Sequence, residues 1–286
     1  MMKPIDHPLR EAVILLALAG TALLTGCASH QPSPLKSAAL PEFSSDWPDG
    51  YLPAESIPNS LALLPPPPAE GSPALALDQD YSKKSFALRD TPAWVLAALD
   101  ADLSFPNAAG TYSCALNAPV TQQDTPHLYN LLHRTLADAG SSTQAAKKHY
   151  QRPRPFMVNH EPICSPQDQA RLERSGSYPS GHNAAGIAWA LILAEVSPPQ
   201  ADAIFARGQA FGMSRIVCNV HWLSDTVQGR YLGAYTVAKL HTNPAFRADL
   251  DAAKAELEAV RAKGLKPIRD CAAEKAGIAL QSALYH

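Results

Sequence analysis

Seven side chains able to do chemistry recur at short intervals between positions 147 and 225 of this 286-residue chain. Lys147 stands seven positions before Arg154-Pro155, and Pro179-Ser180-Gly181-His182 follows. Ser214-Arg215 comes next, with His221 six positions after the arginine and Asp225 four beyond that. Two arginines can each grip two oxygens of a phosphoryl group in a planar fork, and a lysine adds a point charge. The Ser180 hydroxyl and the Gly181 N–H can donate further bonds, and glycine lets the backbone come close. An apolar helical run follows Pro179-Ser180-Gly181-His182, so the anion is expected to face a helix N-terminus. The His221–Asp225 spacing predicts that both lie on one helical face. These are the parts needed to hold a phosphoryl group and pass it through a histidine, a reaction that asks mainly for positioning and charge stabilisation.

Each fragment alone is weak. A Pro-Ser-Gly-His is usually a turn and a helix cap, and Lys147-Lys148 is usually a solvated face. Their co-occurrence in order is what carries weight. The pattern K-x6-RP, PSGH, SR-x5-H-x3-D resembles the signature of the type 2 phosphatidic acid phosphatase and vanadium haloperoxidase superfamily. Within it the chain resembles the class A bacterial non-specific acid phosphatases, also through Ser60–Pro68, Gly176–His182 and Leu240–Phe246, over about residues 51–264. The resemblance implies that Lys147, Arg154, Ser180, Gly181 and Arg215 bind phosphate. It also implies that His221 is the nucleophile, that Asp225 fixes its tautomer, and that His182 is the general acid and then the base. That scheme needs no metal and no cofactor.

The implied substrates are small phosphate monoesters: nucleotides, sugar phosphates or aryl phosphates. Phosphate transfer to alcohols is implied as well, as is a homodimer or larger homo-oligomer. The alternative is a vanadium-dependent haloperoxidase, in which the same cations and His221 would hold vanadate; halide oxidation with added vanadate discriminates the two.

The register of the first motif follows from its lysine. Arg152-Pro153 is a second Arg-Pro pair, but the position seven before Arg152 is Ala145. Lys148 and Arg152 are therefore expected to be solvated charges. The remaining histidines make no metal pattern: His127 and His133 point to different helix faces, and no H-E-x-x-H or paired-cysteine spacing occurs.

The net charge of −2 gives no reason to expect a nucleic-acid surface. Lys3 and Arg10 precede an apolar run from Ala12 to Leu24, and Leu24-Thr25-Gly26-Cys27 resembles a lipobox. The expectation is a lipoprotein signal peptide (1–26), lipid on Cys27, and a periplasmic enzyme anchored to the outer membrane. Membrane contact would be through that lipid only, because no further apolar run is long enough to span. Four cysteines remain, Cys114, Cys164, Cys218 and Cys271, which permit two disulfides in three pairings. A bridge at Cys218 would tether the active-site segment.

The elements that must position these residues read as helices. The 26 prolines concentrate in the first half, where they break up the chain. A Ser/Pro/Ala-rich tether (27–50) and a stiff Pro65–Pro68 segment lead into the domain. Thr91-Pro92 opens a helix to Leu103. Thr121-x-x-Asp124 predicts a capping box with a helix to about Ala139. Further helices are expected at Ser141–Tyr150, from Ser165-Pro166, over the buried apolar run Asn183–Val196, from Ser197-Pro198 to Arg215, over Trp222–His241, and from Asn243-Pro244 to near Gly264. No strand pattern or repeat is present. The fold expected is all-α: a single compact domain (51–264) around a buried central helix. A C-terminal tail (265–286) would be either pinned through Cys271 or of little consequence.

Overall fold

Many helix starts in this chain are written as a short polar residue followed by proline. The polar side chain satisfies free N–H groups, and proline takes the first helical position, where it costs no hydrogen bond. The computed structural model of the protein describes residues 49–285. The expected signal peptide, Cys27 and all but the last two residues of the tether lie outside them. Among the described residues every regular element is helical.

A short helix α1 (Ser60–Leu63) is followed by α2 (Pro73–Ser85), capped by the Ser72 hydroxyl, which accepts from Leu75 N–H at 3.2 Å. Thr91 caps α3 (Pro92–Ala101) by accepting from Ala93 N–H at 3.2 Å. Next come α4 (Ser113–Leu116), α5 (Pro126–Ser142), α6 (Gln144–Tyr150), α7 (Pro155–Asn159) and α8 (Gln169–Leu172). The long elements α9 (Gly181–Val196), α10 (Ala201–Val217), α11 (Leu223–Leu240) and α12 (Pro244–Ala262) form the body, and α13 (Cys271–Gln281) closes the chain.

Two expectations need correction. Asp124 N–H does donate to Thr121 Oγ1 at 2.9 Å, but this closes a turn. The reciprocal bond is absent because Thr121 N–H goes to Thr125 Oγ1, and α5 starts only at Pro126. Second, α2 was not expected at all, and the tail contains a full helix, α13.

Helix α9 is apolar on every side, and twelve of its sixteen residues are buried, so it can sit only at the centre. It packs against α10, α11 and α5. Trp189 is fully buried and donates its indole N–H to Leu132 O on α5 at 2.9 Å, which satisfies the one polar atom of a large apolar side chain. The amphipathic α12 lays Phe246, Leu250, Ala253, Leu257 and Val260, spaced three and four apart, over α5. Each fully buried Leu or Phe of such a face contributes roughly 1.5–3 kcal/mol. A second cluster gathers α3, Phe156 of α7 and the end of α10 around Cys164 and Cys218.

The N-terminal segment is stitched to this body. Tyr51 N–H and Leu52 N–H donate to the Asp138 carboxylate at 2.8 and 3.0 Å, and Tyr51 Oη donates to Asp249 at 2.7 Å. Pro65 O accepts from Tyr178 Oη at 2.6 Å, and Ser60 Oγ accepts from Ala146 N–H at 3.0 Å, so the proline-rich stretch lies against α6 and the turn before α9. Of the three possible pairings, the disulfides are Cys114–Cys271, which ties α13 to α4, and Cys164–Cys218, which holds the end of α10. Among the described residues no helix is long and apolar enough to cross a membrane.

Candidate active site

The motif residues come from four segments that meet beside α9. Ser180 is the N-cap of α9, and its Oγ accepts from Asn183 N–H at 3.3 Å and from Asn183 Nδ2 at 3.1 Å. Gly181 and His182 are the first two residues of that helix, where N–H groups have no intrahelical partner. The turn leading in is locked to both neighbours. Ser180 N–H donates to Asp225 O at 3.0 Å, and Ser177 N–H to Arg152 O at 2.9 Å. Two glycines allow the approach: a Cβ on Gly176 would stand 2.7 Å from Lys147 O, and one on Gly229 would stand 2.4 Å from Ser180 O.

Lys147, on α6, is buried and donates its Nζ to Gly176 O at 2.8 Å. Arg154, just ahead of α7, is fully buried and wired to backbone on three sides. Its Nε donates to Leu172 O and Ser175 O at 3.0 and 3.1 Å, and its Nη1 to Val220 O at 3.1 Å. Arg215 lies in the last turn of α10, buried, and its carbonyl accepts from Val220 and His221 N–H at 3.2 and 3.3 Å. The Cys164–Cys218 bridge fixes the backbone just after it. Lys147 Nζ and Arg154 Nη2 both reach Gly176 O, at 2.8 and 3.4 Å, while Arg154 Nη1 meets His221, so two buried cations gather beside this histidine, a setting that suits an anion.

His221 is 1 % exposed and lies in the turn before α11. Its Nε2 is 3.1 Å from Arg154 Nη1, and its Nδ1 is 3.3 Å from Asp225 Oδ2. A guanidinium only donates, so Nε2 must accept, and the ring proton must sit on Nδ1, facing the carboxylate. The expected reason for the His221–Asp225 contact needs correcting, because His221 is outside the helix. Asp225 is in the first turn of α11 and reaches back to the Trp222 N–H at 2.9 Å, and this cap brings its carboxylate under the ring.

His182 is 4 % exposed, and its Nε2 lies 3.1 Å from Ala101 O at the end of α3. A carbonyl only accepts, so Nε2 carries a proton there and Nδ1 is the other titrating atom. The ring stacks against Phe211, centroids 6.0 Å apart.

Arg152 is a correction. It is buried, not solvated: Nη1 meets Asp225 Oδ1 at 2.6 Å and Nη2 meets Asp78 Oδ2 at 2.7 Å. Lys148 is exposed, as expected. Burial pushes the Asp225 carboxyl above the usual carboxylate range, while Arg152, the Trp222 N–H and Lys147 pull it back down. Asp78 escaped sequence reasoning because it sits on α2. Ser72-Pro73 was the available signal for that helix, a cap residue before a first-turn proline.

Ser214 does not turn toward the anion. Its hydroxyl proton goes to Asp100 Oδ2 at 2.6 Å, and its Oγ accepts from Gln281 Nε2 at 2.9 Å. Asp100 also binds Arg207, which contacts Glu274 of α13 at 3.1 Å. Burial alone would depress Arg207, but Asp100 and Glu274 hold its guanidinium charged. Among the described residues no group of three or more His, Cys, Asp or Glu is placed to hold a metal ion.

Residues 129–247 match the PAP2 superfamily. The chain is 42 % identical over 208 residues to the non-specific acid phosphatase of Salmonella typhimurium, which covers 72 % of this chain and 83 % of that protein. It is similar to the non-specific acid phosphatase of Providencia stuartii (42 % over 207 residues, 72 % and 84 %). It is similar also to the acid phosphatase of Zymomonas mobilis (40 % over 207 residues, 72 % and 78 %). The chain belongs to the PAP2 superfamily and, within it, to the bacterial non-specific acid phosphatases.

Proposed function

We propose that the protein is an acid phosphatase that hydrolyses small phosphate monoesters through a phosphohistidine on His221, without a metal ion. The observation that carries this reading is His221 held between Arg154 at Nε2 and Asp225 at Nδ1. In the resting site an Arg154 N–H occupies the Nε2 lone pair. An arriving phosphoryl oxygen is a stronger acceptor than an imidazole nitrogen and draws that N–H to itself. Substrate binding thus uncovers the nucleophile.

The Nε2 lone pair then attacks phosphorus, and the bond from phosphorus to the leaving oxygen breaks. The leaving alkoxide takes a proton from His182. In the second half His182 removes a proton from water, the hydroxide attacks phosphorus, and the P–N electron pair returns to Nε2. An alcohol in place of that water gives phosphate transfer. Lys147, Arg154, Arg215, Ser180 and Gly181 N–H offset the charge that builds on the three equatorial oxygens. None of these groups reads the leaving group, which supports a broad substrate range.

Activity on nitrophenyl phosphate is expected to survive a chelator and to be inhibited competitively by vanadate. Strict dependence on an added divalent ion would reject the site.

We place the enzyme in the periplasm, held to the outer membrane by lipid on Cys27. Two disulfides support an oxidising compartment, and they use the four other cysteines. A fatty-acid analogue should label the wild-type chain and not Cys27→Ala; equal labelling would end the idea. The homo-oligomer is checked by light scattering, where a mass of one chain would exclude it.

A further inference from the structure

The nucleophile is braced from behind. Asp225 is wholly buried, and the oxygen it does not turn toward His221 is taken by Arg152 Nη1. The other end of that guanidinium meets Asp78. Asp78 in turn accepts from Ser224, the residue before Asp225, twice: the N–H on Oδ1 at 2.7 Å and the Oγ–H on Oδ2 at 2.6 Å. Arg152 also donates to Ser224 Oγ at 2.8 Å and lies 5.4 Å from the Trp222 ring centroid, while the Trp222 indole donates to Pro153 O at 2.8 Å. The result is a closed carboxylate–guanidinium–carboxylate row that begins on α2 and returns to the first turn of α11.

We propose that Asp78 and Arg152 are positioning residues for phosphoryl transfer, acting through Asp225 on His221. The inference rests on the phosphohistidine reading and deepens it. Two physical effects follow from the row. The first is geometric: with Oδ1 pinned by Arg152, Asp225 cannot rotate, so Oδ2 stays on the Nδ1 proton and Nε2 stays aimed. The second is electrostatic. When Nε2 bonds to phosphorus with Nδ1 still protonated, the ring becomes a cation. Arg152 alone would cancel the Asp225 charge that offsets this cation. Asp78 shares the guanidinium, so the row keeps one net negative charge beside the ring. In a buried site such a charge acts with little screening.

A plain stabilising ion pair makes a different statement. Replacing it would lower the melting temperature and leave turnover per folded molecule unchanged.

The test compares wild type with Asp78→Asn, Arg152→Lys, Arg152→Gln and the double variant Asp78→Asn/Arg152→Gln, at equal folded fraction by thermal melts. Steady-state kcat and KM on nitrophenyl phosphate and the rapid-quench rate of phosphoenzyme formation are measured for each. Arg152→Gln is expected to lower kcat and the phosphorylation rate by about 10- to 100-fold, the size of a loss of alignment. KM should stay within about twofold, since no phosphate contact is removed. Arg152→Lys, which keeps the charge, should recover part of the loss. Asp78→Asn should cost less than Arg152→Gln. The double variant should lose less than the product of the two single losses, because Asp78 and Arg152 act through the same carboxylate, Asp225. If Arg152→Gln does not fold, Asp78→Asn and Arg152→Lys carry the test.

Unchanged phosphorylation rates in the folded variants, or fully additive losses in the double variant, would overturn the inference. Absence of any phosphoenzyme in the wild type would instead overturn the phosphohistidine reading, so the two failures are distinguishable.

Discussion

His221→Ala is expected to abolish turnover of every phosphomonoester, by a factor on the order of a million as for other lost nucleophiles. On the proposed mechanism the variant would still bind substrate, but unproductively. His182→Ala should behave differently. The alkoxide leaving from a sugar or nucleoside is a strong base and needs the His182 proton. Loss of a general acid there costs roughly 10²–10⁴-fold. A nitrophenolate leaves without a proton, so the same variant should phosphorylate His221 from nitrophenyl phosphate at a rate much closer to wild type. It should then stall, because the base that activates water is gone. Rapid quench with labelled substrate should trap an acid-labile phosphohistidine in His182→Ala and nothing in His221→Ala. Equal losses on alkyl and aryl substrates, with no trapped species, would mean the roles are misassigned. The geometry makes the contrast sharp. The donor at His221 Nε2 is a guanidinium that cannot give up its proton, whereas His182 is tied through Nε2 to the Ala101 carbonyl.

The residues at the centre of this argument were legible because they sit in order, at fixed spacing, next to helix signals. Ser180 as cap, α9 as a buried apolar run and α12 as an amphipathic face follow directly from residue types. What the sequence hid was polar. The inward face of α2 is Asp78, Ser82 and Ser85, and that of α13 is Glu274, Gly277 and Gln281. Neither shows an apolar period, so hydrophobic patterning passes over both. Yet these faces brace the site: α2 holds Arg152 and Ser224, and α13 holds Arg207 and Ser214. For the same reason Arg152 read as a solvated charge, since its two carboxylate partners are 74 residues before it and 73 after it. A buried ion pair between distant segments leaves no local trace. The disulfide pairing was equally open, because four cysteines have three pairings and only folding decides which come together.

The largest stability effect is expected at Asp100, which lies outside the anion site. Its carboxylate is 1 % exposed, binds Arg207, itself 1 % exposed, and accepts the Ser214 hydroxyl proton. Asp100→Ala would leave a guanidinium in the interior with only Glu274 as counter-ion, at 3.1 Å. Breaking one partner of a buried pair costs roughly 3–5 kcal/mol, because the charge left behind is not hydrated. For a domain of this size that corresponds to a fall in melting temperature of about 10 °C. The damage should also reach the chemistry. Ala101, the next residue, supplies the carbonyl that holds His182, so a loosened end of α3 would release that ring, the general acid of the proposed mechanism. Asp100→Ala is therefore expected to lose more activity on alkyl phosphates than on nitrophenyl phosphate at a temperature where it is fully folded. The double change Asp100→Leu with Arg207→Met removes the stranded guanidinium, and Glu274, which burial already pushes upward, can meet the loss of its partner by taking a proton, so the double variant should melt higher than Asp100→Ala alone. A melting shift under about 2 °C in Asp100→Ala, or a double variant that melts lower than the single, would show that this cluster is hydrated or slack rather than a rigid support for His182.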